Sequence, residues 1–426
     1  MNTSRFLNIQ IWLIIFSLLS ITTTSCRDDS DEFLSYSLSD EDNDDNFSEA
    51  KASLAGQFKA IWKAMNNNYP LWDYEEAHGV DWDKTYRDFL PKFEELDRMY
   101  NFTNPVPDEI ICELYNQIFA QLHDGHSYLQ LKNIHTNQNI KKQFSPSYQA
   151  IQERFDKEVT WLSMLKRRGI LAYYNNQYNY CGDAGGYTFV RFNDEIMYFG
   201  LLKCQLAAAF EQRSTDSDKD KICQVWQAWF DAIQQAHNER SLKGVILDLR
   251  FNTGGTANDF QYLIGALING PEQLLGYTRM KTGVGRLDYS CLFPFTCKNY
   301  SEPHVNVDVP IVVLCNVETA SMAELLCLAA KQLPNGHVIG TQTYGAFSPI
   351  VEPYRVTYAG TVGDPELTRA PFYIYMPSAA FFSKDKKVIE GQGVIPDEVV
   401  ELDISVSSDS QLDRALEYIR KTSHAQ

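Results

Sequence analysis

The sequence predicts a mixed α/β fold, with an N-terminal helical bundle ahead of a core of βα units, and three stretches predict it. The run Ile311, Val312, Val313, Leu314, Cys315 reads as a strand buried on both faces, with an Ala/Leu-rich helix over residues 321–333 packed on it. A second run, residues 244–249, ends in the glycine-rich turn Asn252-Thr253-Gly254-Gly255 and leads to a helix over residues 257–267. Residues 53–130 instead carry apolar side chains at helical spacing: Leu54, Phe58, Ile61, Trp62 and Met65, then Ile111, Leu114, Ile118 and Leu122.

In chain order, residues 1–26 read as a secretory signal: Arg5, an apolar stretch from Ile11 to Leu19, then Thr23, Thr24, Ser25 and Cys26. The stretch is too short and turns polar too soon for a membrane span. Small residues before Cys26 resemble a bacterial lipoprotein signal, which implies lipidation of Cys26 and an outer-membrane lipoprotein of the cell envelope, periplasmic or surface-exposed. Residues 27–50 hold ten acidic residues against one basic, so about half of the net charge of −17 sits in one solvated tether. No basic stripe supports nucleic-acid binding. The remaining cysteines form no CxxC pair, which argues against a zinc ribbon, and no metal or cofactor is implied. Cys291 and Cys297 are candidates for a disulfide in an oxidising envelope, whereas Cys315 and Cys327 read as core thiols.

Within the bundle, Tyr69-Pro70-Leu71-Trp72 and Val80-Asp81-Trp82 break the helical pattern and read as anchored loops. The second helix runs to Leu122, with Gly125 as its left-handed cap, so His126 stands just past a rigid end and ahead of a strand. Residues 131–235 read as a middle β-rich part with no clear PDZ loop, through Tyr173-Tyr174, Tyr187 to Val190 and Tyr198-Phe199, leaving by a helix over 222–237 with Val225, Trp229 and Ile233 inward. Residues 236–426 form the βα core. Strands are expected near 337–340, 351–358 and 372–376, and an amphipathic helix over 409–421 buries Leu412, Leu416 and Ile419.

Ser321 falls at the strand-to-helix turn, where its hydroxyl has two employments. Ser321-x-x-Glu324 is a capping box, which asks the serine only to satisfy a helix N–H. The same turn also suits a nucleophile, since free N–H groups and a positive dipole end stand beside any oxyanion its attack creates. The Asn252 to Gly255 turn is followed by no Gly-Lys-Ser/Thr, which sets aside a phosphate loop.

Four segments, in order, resemble peptidase family S41, the C-terminal processing proteases and the tricorn core protease. They are Leu122 to His126; Asp248 to Gly255; Thr319 to Glu324 with the later Gly340 and Thr343-Tyr344-Gly345; and Glu390 to Asp397. The resemblance implies a crotonase- or ClpP-like βα spiral and serine endopeptidase chemistry by acyl transfer on a peptide or unfolded protein. The lysine that serves as base in the processing branch is Ala346 here, and Lys331 is the nearest substitute for a Ser-Lys dyad. The tricorn-like branch uses a histidine, which falls on His126, and its ordinary pKa near 6.5 suits a general base. Ser321 then becomes the nucleophile, Glu390 the relay acid, and the N–H groups of Met322 and of Gly254 or Gly255 the oxyanion hole. The serine that precedes the histidine in tricorn is Gly125 here, so Ser127, a water or direct contact would join Glu390 to His126. Asp248 and Arg250 are read as a brace for the turn. The competing reading is a non-catalytic peptide- or ligand-binding lipoprotein that keeps the fold.

Overall fold

The computed structural model describes residues 47–146, 179–182, 185–298, 305–350, 360–363, 366–367, 370–402 and 409–423. The expected signal, Cys26, residues 27–46 of the tether, Tyr173-Tyr174 and the strand expected over 351–358 lie outside the described residues.

After a short helix at Ser48–Ala52, four longer helices build the N-terminal bundle: α1 (Leu54–Asn68), α2 (Trp72–Ala77), α3 (Trp82–Met99) and α4 (Asp108–Phe119). Ser53 caps α1 by accepting the Gly56 N–H at 2.9 Å, and Asp81 caps α3 by accepting that of Lys84 at 2.7 Å. The two segments expected to be loops therefore start helices instead. Trp72 and Trp82 stand at those starts, fully buried, with ring centroids 4.9 Å apart. Phe58 of α1 stacks on Phe93 of α3 at 4.8 Å. Helix α4 stops at Phe119, short of Leu122, and Gly125 is not a left-handed cap, since its φ is not positive.

The chain then enters β1 (Tyr128–Asn133), which pairs antiparallel with β2 (Gln138–Asn139) and, across nearly 250 residues, with β12 (Phe372–Tyr375) in the register Tyr128 opposite Tyr375 and Leu131 opposite Phe372. The strand β11 (Val362–Gly363) completes this sheet.

The main sheet has seven strands, in the order β14 (Glu398–Val399), β10 (Gly336–Gly340), β9 (Ile311–Cys315), β6 (Gly244–Asp248), β5 (Ile196–Leu201), β4 (Gly185–Arg191) and β3 (Asn179–Gly182). The first five run parallel to one another; β4 pairs antiparallel with β5, and β3 antiparallel with β4. Thus β3 to β5, from the stretch expected to form a middle part, belong to the same sheet as the core strands. Helices cover both faces, which explains the uninterrupted apolar runs. Val245, Leu247 and Val313 pack toward α5 (Ser217–Asn238) and α6 (Met322–Lys331), while Ile246, Val312 and Leu314 pack toward Leu412, Leu416 and Ile419 of α7 (Ser410–Ser423).

A third sheet, β13 (Ala379–Phe382), β7 (Glu272–Met280) and β8 (Phe293–Lys298), has no counterpart in the sequence reading. The helix expected over 257–267 is a 3₁₀ segment, Ala257–Tyr262, followed by one turn, Ile264–Leu267. Cys291 and Cys297 are both free thiols, correcting the expected disulfide. Residues 293–298 run as one extended strand, which separates the two sulfurs by about 3.3 Å per residue, well beyond bridging range.

Candidate active site

Ser321 ends the loop after β9 and starts α6. Its backbone sits at φ 56°, ψ −123°, a region that a serine acting only as a helix cap does not need, since caps take ordinary extended angles. Such a conformation costs about 1–3 kcal/mol and persists where surroundings enforce it. The enforcement is visible. Ala320 N–H donates to Asn252 O at 2.9 Å, Thr319 Oγ1 donates to Leu249 O at 2.9 Å, and Phe251 N–H donates to Asn316 Oδ1 at 3.0 Å, so the turns after β6 and β9 are sewn together. Gly254, at φ 92°, lies so close that a Cβ there would meet Ser321 Cβ at 2.6 Å and Met322 N at 2.8 Å. The Gly254 N–H donates to Asn252 Oδ1 at 2.8 Å inside the turn, whereas Gly255 is exposed.

Glu324, read from the sequence as a capping partner, does more. Its buried carboxylate accepts the N–H of Ser321 at 3.0 Å, of Gly345 at 2.6 Å and of Ala346 at 2.7 Å, and the hydroxyl of Thr343 at 2.6 Å. Burial pushes its pKa up to about 7 against those four donors. Because the bonds of 2.7 and 3.0 Å share Oε2, Ala346 N lies no more than 5.7 Å from Ser321 N.

The turn that carries His126 packs on that same place. A Cβ on Gly125 would meet Ala346 Cβ at 2.5 Å and Tyr344 at 3.1 Å, so glycine is required by close approach rather than by a left-handed cap. Asp124 shapes the turn: its Oδ1 accepts the N–H of His126 at 2.9 Å and of Ser127 at 2.6 Å, and its Oδ2 lies 2.8 Å from the Tyr69 hydroxyl. That hydroxyl is also 2.8 Å from Glu75, which accepts the His123 N–H at 2.9 Å, so α2 clamps the turn. The His126 ring is half-buried with Nδ1 wholly inside; burial lowers its pKa below 6.5, and the Asp124 charge pulls it partly back. Among the described residues no hydrogen bond joins Ser321 to His126. Catalytic hydrogen bonds are often long before substrate binds.

Glu390 is fully buried. It accepts the Gly125 N–H on Oε1 at 3.0 Å and those of Phe347 and Ser348 on Oε2 at 3.1 and 2.7 Å. Burial first, and the Asp124 charge second, raise its pKa to about 8. The structure therefore brings Glu390 to the residue beside His126, not to the imidazole itself. Lys331 is set aside: it closes α6 about 15 Å from Ser321 along the axis and is ion-paired with Asp397. Ala346, at the lysine position of the processing branch, is buried and contributes only its backbone. Arg250 does brace the turn, binding Asp248 through Nε at 2.9 Å and Asp409 through two bonds of 2.7 and 2.8 Å. Asp409, Asp124, Tyr69 and Glu75 escaped the sequence reading. The Arg250–Asp409, Tyr69–Asp124 and Glu75–His123 contacts join residues 159, 55 and 48 positions apart, which no local pattern reports, and Asp124 lay unremarked inside the Leu122 to His126 segment.

A family model of peptidase family S41 matches residues 210–400, which leaves the His126 segment outside the matched stretch. The tricorn protease of Thermoplasma acidophilum is 30% identical over 183 residues, 42% of this chain and 14% of that protein. The carboxy-terminal-processing protease of Bartonella bacilliformis is 30% identical over 175 residues, 41% of this chain and 35% of that one. The chain thus spans about a third or less of these curated relatives. A crystal structure of a candidate peptidase from Parabacteroides merdae covers 86% of this chain and 97% of its own with a TM-score of 0.59 at 19% identity, which shows a shared fold. Over residues 210–400, the chain is similar to peptidase family S41.

Proposed function

We propose that the chain is a serine endopeptidase in which Ser321 is the nucleophile and His126 its general base, acting on a peptide or unfolded protein. The observation that carries this reading is the strained Ser321 turn, with Gly254 pressed against it and the His126 turn seated on Ala346, one carboxylate away. His126 takes the proton of Ser321 as Oγ attacks the carbonyl. The N–H of Met322, with that of Gly255, holds the oxyanion, since the Gly254 N–H is already given to Asn252, and losing one such donor typically costs about 2.7–4 kcal/mol of barrier. The imidazolium then protonates the leaving amine, and water releases the acyl group by the same route. Glu390 is the acid that stabilises the charged imidazole, through an intermediary. Lipidation of Cys26 would hold the enzyme in the cell envelope, as an outer-membrane lipoprotein with the acidic tether as spacer.

The test is labelling by a serine-directed phosphonate. An adduct on Ser321 that disappears in His126→Ala is the expected result. Absence of labelling, together with peptide binding unchanged in Ser321→Ala, would favour the second reading, a non-catalytic peptide binder, which draws on Ala346 at the lysine position and on the unclosed Ser321 to His126 pair.

A further inference from the structure

One buried acid behind the glycine turn takes no part in the chemistry above. Asp259 lies on the 3₁₀ segment Ala257–Tyr262, fully buried, and its two oxygens accept the N–H of Leu206 at 2.8 Å and of Ala207 at 2.9 Å. Those amides begin the short helix Leu206–Gln212, whose own Gln205 supplies no side-chain cap, so an acid 53 positions further on satisfies them. Just before that helix the chain runs beside the glycine turn. Cys204 N–H donates to Gly254 O at 2.8 Å and Thr256 N–H donates to Cys204 O at 3.0 Å, a parallel bridge between Cys204 and Gly255. A Cβ on Gly255 would meet Cys204 O at 2.1 Å, so the two backbones touch. In such a bridge the residues flanking Gly255 spend their groups on Cys204, and the N–H of Gly255 itself faces the other way. Gly255 is exposed, and its neighbour Gly254 lies against Ser321.

We propose that Asp259 is a positioning residue for the oxyanion hole: by holding Leu206 and Ala207 it fixes Cys204 against the turn, and so keeps the Gly255 N–H turned outward to the oxyanion. The path is short. Cys204 stands two positions from Leu206 and Thr256 three from Asp259, and the Asp259 N–H donates to Thr256 O at 3.1 Å, so carboxylate and bridge close one small circuit of backbone. Asn252 ties the other end, donating Nδ2 to Leu201 O at 3.0 Å and accepting the Gly254 N–H at 2.8 Å. A donor serves an oxyanion only when it is aimed before the charge forms, which is what a doubly tied turn provides. Asp259 transfers no proton and acts through the backbone alone. This inference rests on the peptidase reading for its effect on rate, and on the hydrogen bonds for its geometry.

The experiment compares Asp259→Ala and Asp259→Asn with the wild type in the full-length chain, by labelling of Ser321 with an alkyl fluorophosphonate and by amide hydrogen exchange at Cys204 and Thr256. Phe210 still stacks on Tyr262 at 4.6 Å in either variant, which holds the short helix on the 3₁₀ segment when the carboxyl group is gone. Asp259→Ala should lower the maximal labelling rate about 10-fold at an unchanged half-saturating concentration, since the misplaced donor serves the transition state alone. The phosphorus resonance of the Ser321 adduct should move, and exchange at Cys204 and Thr256 should quicken about 10-fold. An asparagine offers one accepting oxygen in place of two, so Asp259→Asn should fall between, and it carries the test where the alanine variant does not fold. Labelling at the wild-type rate with an unmoved phosphorus resonance, or a loss carried by the half-saturating concentration, overturns the proposal while the peptidase reading stands. A wild type whose Ser321 never labels refutes the peptidase reading and the oxyanion role with it, and quickened exchange in the variants would then mark Asp259 as a clamp of the turn only.

Discussion

In the proposed mechanism His126 is the general base, and its surroundings set its charge. Burial favours the neutral ring, so the imidazole is ready to accept a proton at neutral pH, while the Asp124 carboxylate limits how far its pKa falls. The sign follows. A lowered pKa keeps the base form present down to below pH 6.5, so kcat/KM should be flat near neutrality and fall only as pH drops beneath that value. A pH profile of phosphonate labelling checks this, and an acid limb centred above 6.5 would contradict it. Ser321 and Glu324 show the complementary economy, since one carboxylate at the start of α6 orders both the Ser321 amide and the loop at Ala346.

At the scale of elements, the site depends on turns pressed together with no spare volume. Gly125→Ala would drive a methyl group into Ala346, and activity should fall at least 10-fold with a loss of stability of about 1–3 kcal/mol. Adding Ala346→Gly should restore much of both, and thermal melts with labelling rates on the two single variants and the pair measure it; strict additivity would refute the contact. This pairing also shows what the sequence discloses. The strand-to-helix position of Ser321 was legible from the apolar run at residues 311–315, because burial on both faces writes itself as continuous hydrophobicity. The place of Gly125 was misread as a helix cap, because local spacing cannot report a neighbour 221 positions away. The same holds for the helix starts at Trp72 and Trp82, whose tertiary packing overrides a pattern that looked broken, and for β7, β8 and β13, antiparallel strands with weak alternation.

Over the whole molecule, the N-terminal helices do not enclose a core of their own. Phe58, Trp72, Phe93 and Tyr115 share one apolar cluster with Phe372, Ile374 and Met376, and the Gln57 side chain donates to Pro371 O at 2.8 Å and Lys132 O at 2.9 Å. A shared core predicts that the bundle and the four-stranded sheet of β1, β2, β11 and β12 lose structure together. Denaturant unfolding followed by tryptophan fluorescence and by far-UV circular dichroism should give coincident single transitions, and two separated steps would show that the bundle folds independently.

The pairing of β1 with β12 has a consequence in time as well as in space. The imidazole is made early and the strand and carboxylate that seat it come from residues 372–390. A chain leaving the ribosome therefore carries the His126 turn without the strand and carboxyl group that seat it until residues 372–390 have been made.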